Sequence, residues 1–316
     1  MMEFEKAKKK VSEARSIAIS GHINPDGDSI GSLLALGLAL KKLGKKVYMV
    51  SADGVPRPYR NLPGATRIRK KVPFPVDLAI TVDCSNKEIL GDTYAMFRKS
   101  RDVLEIDHHE FRRPFGTIQI LDHKAAAVGE LIYLLLKKLR IGIDARIGQN
   151  LLTSLVVETN SFRLPNVRAF TFRMCADLMQ RGVDFYKLVD MVYWSKSNES
   201  AILTGICLSR CVFLKRGRLA WSIVKRRDFR KVGGKDEDVD AAADEIRSIK
   251  GVKIAVLFRE KNKKLLRVSL RSKDNLNVAS IAETFGGGGH FDVAGCSIPN
   301  SKKAISKLLS LAKKSL

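Results

Sequence analysis

Three short apolar runs in the first third of the chain each end in residues that ligate divalent metals, and this pattern restricts the fold more than any other feature. Ile17-Ala18-Ile19 leads into Gly21-His22-Ile23-Asn24-Pro25-Asp26-Gly27-Asp28, Leu78-Ala79-Ile80-Thr81-Val82 stops at Asp83, and Val103-Leu104-Glu105-Ile106 is followed by Asp107-His108-His109. Runs of this kind read as buried strands. In a parallel sheet the strand ends share one edge, where open α/β sheets bind ligands. There His22, Asp26, Asp28, Asp83 and His108 converge without being neighbours in sequence.

Taken alone, the first segment reads two ways. Asp26 or Asp28 caps a helix beginning near Ser29, with His22 an ordinary turn residue. In the other reading, Pro25 and Gly27 bend the turn so that His22 and Asp26 meet at one point while Asp28 faces a neighbouring one, and one turn serves two metals. The repetition at three strand ends favours the second. Elsewhere the patterning alternates. Beyond an N-terminal amphipathic helix, Phe4 to Arg15, strands are expected near 16–20, 46–51, 77–82, 102–106 and 117–121. Helices are expected near 29–43, 127–140, 145–157, 167–181 and 184–193. After a small polar stretch at Ser195-Lys196-Ser197-Asn198, strands are expected near 211–215, 219–224, 252–259 and 264–270, with helices near 237–249, 277–284 and 301–315.

These residues, in this order, resemble the motifs of the DHH phosphoesterases. Phe285-Gly286-Gly287-Gly288-Gly289-His290-Phe291-Asp292-Val293-Ala294-Gly295 resembles the glycine-rich signature of the DHH-associated C-terminal domain, and Val268-Ser269-Leu270-Arg271-Ser272 the segment preceding it. The resemblance spans Ile17 to Gly295, and its length and two-domain layout are similar to the stand-alone nanoRNase/pAp-phosphatase branch of this RecJ-like superfamily. One segment departs: Val157-Glu158-Thr159-Asn160-Ser161-Phe162-Arg163 stands where the family has a sequence like DTGSFR. Glu158 keeps the carboxylate one methylene further out, and Asn160 replaces the glycine.

The resemblance implies an α/β protein with a DHH domain at residues 1–194, whose mostly parallel sheet is flanked by helices. A linker at 195–205 and a smaller α/β DHH-associated domain at 206–316 follow, with the active site in the interdomain cleft. It implies two divalent ions, Mn²⁺ foremost and Mg²⁺ or Co²⁺ as alternatives. One is held by His22, Asp26 and Asp83, the other by Asp28, Asp83, His108 and Glu158. His109 then stabilises phosphate charge or the leaving oxygen, and Asp107 orients the histidines. Backbone N–H groups of Gly286, Gly287, Gly288 and Gly289 form a nest for an anion, with Arg271 and His290 adding charged contacts.

Other features carry less. His123 reads as a surface residue, Cys84 as a small buried side chain, and Trp194 and Trp221 as core anchors. Cys207 and Cys211 lack the partner pairs of a zinc site. Five cysteines and the absence of a signal-peptide pattern lead us to expect a reducing cytoplasm. The longest near-apolar stretch, Ile30 to Leu40, is too short to cross a membrane. The formal net charge is +24, of which residues 201–316 contribute +14 and residues 1–200 +10. That balance suits a polyanionic partner or equally a lysine-rich solvated surface.

The expected activity is hydrolysis of phosphoester bonds in short single-stranded RNA or DNA, or removal of a 3′-phosphate from pAp. Hydrolysis of cyclic or linear dinucleotides is the near alternative. A non-catalytic nucleic-acid-binding protein descended from this fold is the reading from a different class. A homodimer is compatible with the sequence.

Overall fold

The structure, a computed structural model, describes residues 2–71, 75–110, 112–289 and 291–316. The chain forms two compact units, Met1–Ser195 and Lys196–Leu316.

In the first unit, α1 (Met2–Glu13) buries Ala7 and Val11, one helical turn apart, and leads into β1 (Ser16–Ser20), α2 (Gly27–Lys42) and β2 (Lys46–Val50). There follow β3 (Leu78–Val82), the short α3 (Asp92–Phe97), β4 (Asp102–Asp107) and β5 (Ile118–Leu121). The unit is completed by α4 (Val128–Lys138), α5 (Ala145–Glu158), α6 (Ala169–Gln180) and α7 (Phe185–Val189). All five strands are parallel, in the order β2-β1-β3-β4-β5. Because β1 lies between β2 and β3, the strand order reverses there, which opens a crevice beyond the strand ends.

Thirteen of the sixteen residues of α2 are buried, so it is a central helix rather than a surface one. Its closest neighbour is α5. A Cβ on Gly31 would lie 2.5 Å from the Asn150 carbonyl oxygen and 3.0 Å from the Ser154 nitrogen, so the two backbones meet with no room for a side chain between them. The first turn of α2 is thereby set against the last turns of α5.

Two expectations need correction here. The helix expected over 184–193 is broken: α7 ends at Val189, and Asp190–Trp194 is a single π-helical turn. Trp194 is not a core anchor but is 63% exposed. Among the described residues, no helix is long and apolar enough to cross a membrane.

The second unit comprises α8 (Asn198–Ser209), β6 (Val212–Leu214), β7 (Leu219–Val224), α9 (Arg226–Val232), α10 (Ala242–Ser248), β8 (Ile254–Glu260) and β9 (Leu265–Ser272). It ends with α11 (Ala279–Glu283), β10 (Gly288–Gly289), β11 (Val293–Pro299) and α12 (Lys302–Lys314). The six strands run in the order β10-β11-β9-β8-β7-β6; β7 and β8 are parallel and every other pair is antiparallel. Trp221 meets the buried Phe258 edge-to-face with ring centroids 5.8 Å apart, as an anchor should. Most of the expected linker, 195–205, is helical: the polar stretch is the N-cap of α8, where the Ser197 hydroxyl accepts from the Ser200 N–H at 3.1 Å. Polar composition signalled a cap, not a flexible connection.

Replacing Gly31 by alanine forces α2 and α5 apart against backbone atoms that cannot rotate away. Urea unfolding of Gly31→Ala is expected to show a loss of about 3 kcal/mol, at the upper end for an overpacked core.

Candidate metal centre

The loop after β1 is shaped before any ligand enters it. A Cβ on Gly21 would lie 1.9 Å from the Ser29 hydroxyl, so only glycine lets the strand end pass this close to α2. Asn24 adopts a left-handed φ of 49°, its N–H donates to Asp53 at 2.6 Å, and the Ile23 N–H donates to the Ile89 carbonyl. Asp26 then caps α2 by accepting from the Ser29 N–H at 3.0 Å, while the same oxygen lies 3.8 Å from His22 Nε2. One carboxylate therefore caps the helix and still lies within reach of the imidazole.

Asp83 follows β3 with a left-handed φ of 59°, and its N–H donates to the Ile106 carbonyl at 3.0 Å. This turn holds its side chain at the strand end. One carboxylate oxygen is 3.4 Å from His22 Nε2; the other is 3.9 Å from His108 Nε2 and 3.7 Å from His109 Nδ1. Asp28, in the first turn of α2, has no exposed surface. Its Oδ1 accepts from Ser32 at 3.0 Å and Ser154 at 2.6 Å, its Oδ2 accepts from the Val128 N–H at 2.9 Å, and Oδ2 lies 3.7 Å from His108 Nε2. Glu158, the last residue of α5, brings Oε1 to 3.6 Å from the same nitrogen. The extra methylene is thus accommodated. After it, Asn160, Ser161 and Phe162 are all left-handed, so the chain keeps at Asn160 the conformation that glycine favours and asparagine tolerates.

Three groups of potential ligands result: His22, Asp26 and Asp83; Asp28, His108 and Glu158; and Asp83, His108 and His109. In each, the ligand atoms lie within 4.8 Å of one another. All six expected ligands, with His109, fall in these groups.

The histidines are oriented by their other nitrogens. His22 Nδ1 lies 2.7 Å from the Ile23 carbonyl and His108 Nδ1 3.0 Å from the Ala125 carbonyl. A carbonyl only accepts, so each Nδ1 carries a proton and each Nε2 faces the carboxylates, as the nitrogen a metal would take. Asp107 contacts His109 Nδ1 at 2.7 Å and not His108, which corrects the expectation that it orients both. Behind Asp107, Arg112 pairs with the fully buried Glu105, which also accepts from the Phe115 N–H at 2.5 Å. Sequence reading missed these supports. The i, i+4 spacings of Asp28 with Ser32 and of Ser154 with Glu158 were the available signal.

Burial pulls the His22 imidazole down, but Asp26 and Asp83 outweigh it and raise it from 6.5 to about 11. The same contest, won by Asp107 and Asp83, raises His109 from 6.5 to about 9. Burial and then the Asp83 charge push Asp28 well above the usual carboxylate range, against the pull of His108. For Asp107, burial is outweighed by His109 and Arg112, which hold it low.

The second unit answers the expectations differently. The Gly286 and Gly287 N–H groups donate to the Glu283 and Ala282 carbonyls, and Gly288 and Gly289 pair with β11. This corrects the nest expectation at Gly286 and Gly287, whose amides close α11, while Gly288 and Gly289 form a strand. At Gly287 and Gly289 the need for glycine is steric, since a Cβ would lie 2.2 Å from the Gly295 carbonyl and 2.4 Å from the Val293 carbonyl. Arg271 Nε is held by Asp244 at 3.1 Å. His290 lies outside the described residues. His123 is exposed, Cys84 is buried with its thiol directed at the Val82 carbonyl, and no cysteine enters the ligand groups among the described residues.

Residues 16–157 match the family model described as the DHH family N-terminal domain, and residues 222–316 that of the DHHA1 domain. The chain is 30% identical over 285 residues to the bifunctional oligoribonuclease and PAP phosphatase NrnA of Thermus thermophilus, covering 89% of this chain and 84% of that one. It is 25% identical over 313 residues to the cyclic-di-AMP phosphodiesterase PdeA of Listeria monocytogenes, covering 90% of this chain and 45% of that protein. The fold is that of an exopolyphosphatase-related protein from Bacteroides fragilis, with a TM-score of 0.89 at 21% identity, covering 99% and 95% of the two chains.

The raised groups make the metal-free protein sensitive to alkali. Asp28, His109 and His22 each bind a proton more tightly folded than unfolded, so each contributes stability at low pH that is lost as pH rises through its folded value. For the imidazoles the window runs from 6.5 to about 9 and about 11. Urea midpoints measured in EDTA are expected to fall from pH 6 to pH 9, and saturating divalent metal is expected to flatten the slope by replacing the protons.

Proposed function

Because this chain belongs to the DHH family and is a hydrolase of phosphoester bonds, we propose that its substrates are short single-stranded oligonucleotides and nucleoside 3′,5′-bisphosphates. The observation that carries this is the pair of ligand groups, His22-Asp26-Asp83 and Asp28-His108-Glu158, set side by side at one sheet edge with Asp83 within 4 Å of a histidine of each. The donor set is imidazole nitrogen and carboxylate oxygen without thiolate, which suits Mn²⁺, Mg²⁺ or Co²⁺. Fully buried Asp28 among other carboxylates is a charge arrangement that a bound cation relieves. Two divalent ions so held polarise a phosphate and acidify a water at neutral pH.

The chain's own residues supply the rest. His22 and His108 present Nε2 as ligands because Ile23 and Ala125 hold their Nδ1 protons. Asp107 keeps His109 protonated at neutral pH, which fits it to neutralise phosphate charge and to give a proton to the leaving oxygen. Arg271, fixed by Asp244, is the anion contact we assign to the second unit. The oligonucleotide and bisphosphate preference is supported by the likeness to the Thermus enzyme over nearly the whole chain. The likeness to the Listeria protein favours a second reading, hydrolysis of a cyclic dinucleotide.

With Mn²⁺, purified protein is expected to cleave a labelled dinucleotide and to release phosphate from pAp, with Asp83→Ala at background. Asp107→Asn is expected to lower kcat by about 10–100-fold, the usual effect of removing a partner that orients a reacting group. Cleavage of a cyclic dinucleotide alone would establish the second reading. No cleavage above Asp83→Ala would defeat both.

A further inference from the structure

Three of the five exposed aromatic rings among the described residues fall between positions 162 and 194: Phe172, Tyr186 and Trp194, at 55%, 66% and 63% exposure. They are not scattered. Phe172 stacks on Phe162 at 5.2 Å, Phe162 meets Phe185 at 5.9 Å, and Tyr186, the next residue, meets Trp194 edge-to-face at 5.6 Å. The π-helical turn turns Tyr193 inward and leaves Trp194 outside. The Tyr193 hydroxyl donates to the Val156 carbonyl at 3.1 Å, two residues before Glu158, so the residue preceding Trp194 is tied to the helix that carries Glu158. Between them lies Arg163, exposed, with its guanidinium 5.4 Å from the Tyr193 ring centroid and two of its nitrogens held by Asn160 at 2.7 Å.

We propose that Trp194 and Tyr186 form a stacking subsite for a base of a single-stranded oligonucleotide whose scissile phosphate is at the metal centre, with Arg163 contacting the intervening backbone; this rests on the function proposed above. An exposed ring presents an apolar face that any base can stack on, and Arg163, set over Tyr193 one residue before Trp194, supplies the charge that a phosphodiester needs. Arg173 and Lys187, also exposed on the same segment, extend that positive surface. Asp184 and Asp190, exposed on the same segment, temper that charge, and the guanidinium of Arg163 is what favours a phosphodiester over an apolar protein partner. The subsite makes the enzyme prefer strands long enough to reach it.

The test reads binding and length dependence separately. In EDTA, where nothing is cleaved, a single strand of about five nucleotides is expected to quench tryptophan emission saturably, since exposed Trp194 reports while Trp221 stays packed against Phe258. Trp194→Phe is expected to lose the quench but keep affinity, and Trp194→Ala to bind about tenfold more weakly. With Mn²⁺, Trp194→Ala is expected to raise KM for that strand about tenfold with kcat unchanged, and to leave both constants for pAp unchanged. A quench that persists in Trp194→Phe, or equal losses for pAp and the strand, would overturn the subsite. So would sedimentation showing that Trp194→Ala dissociates a dimer without changing strand affinity, which would assign the rings to a second copy of the chain. If wild type binds with the expected quench but cleaves none of the substrates, the subsite stands and the proposed function fails.

Discussion

The carboxylates of Asp28 and Asp83 are the constraint around which the first unit is organised. Asp28 is sealed between α2, α4 and α5, with hydrogen bonds to Ser32, Ser154 and the Val128 amide, and Asp83 is aimed at the same region by a left-handed turn. Burying like charges together is unfavourable unless something of opposite sign joins them. Here the joining groups are imidazoles, two of which turn Nε2 inward because backbone carbonyls hold Nδ1, and His22 is kept charged by Asp26 and Asp83. Such a cluster is built to be completed by cations.

The fold serves that cluster directly. Parallel strands bring Asp83 and His108 to one edge, and the reversal of strand order at β1 adds His22 and Asp26 beside them. Glu158 and Ser154 come from the far side, on α5, which reaches the site only because Gly31 lets it lie against α2. Core packing and site geometry are therefore one requirement: the glycine that permits the helix contact also sets the reach of the sixth ligand.

Much of this was legible in the residues. The five parallel strands were readable because a buried strand has a continuous apolar run and each run stopped at a polar cluster. The clustering of the candidate ligands was readable because histidine and aspartate were concentrated at those stops. What was misread depended on neighbours distant in sequence. Ser197 looked like part of a linker because its role as the cap of α8 is visible only once the helix packs. Trp194 looked like an anchor because a ring's burial depends on what lies over it. Gly286 and Gly287 looked like part of an anion nest because their amides could not be seen to be engaged by Glu283 and Ala282.

By itself, then, the sequence determined which histidines and carboxylates gather and which end of a sheet they occupy, since both follow from local periodicity and side-chain type. Tertiary structure alone decided which histidine Asp107 serves, that Glu158 reaches His108 despite its extra methylene, and that the aromatic residues between 162 and 194 gather into two ring groups with Phe172, Tyr186 and Trp194 exposed. Those outcomes rest on separations of 2.7 to 5.9 Å between side chains. Such distances are set by how helices and strands pack, and one chain's order of residues does not contain them.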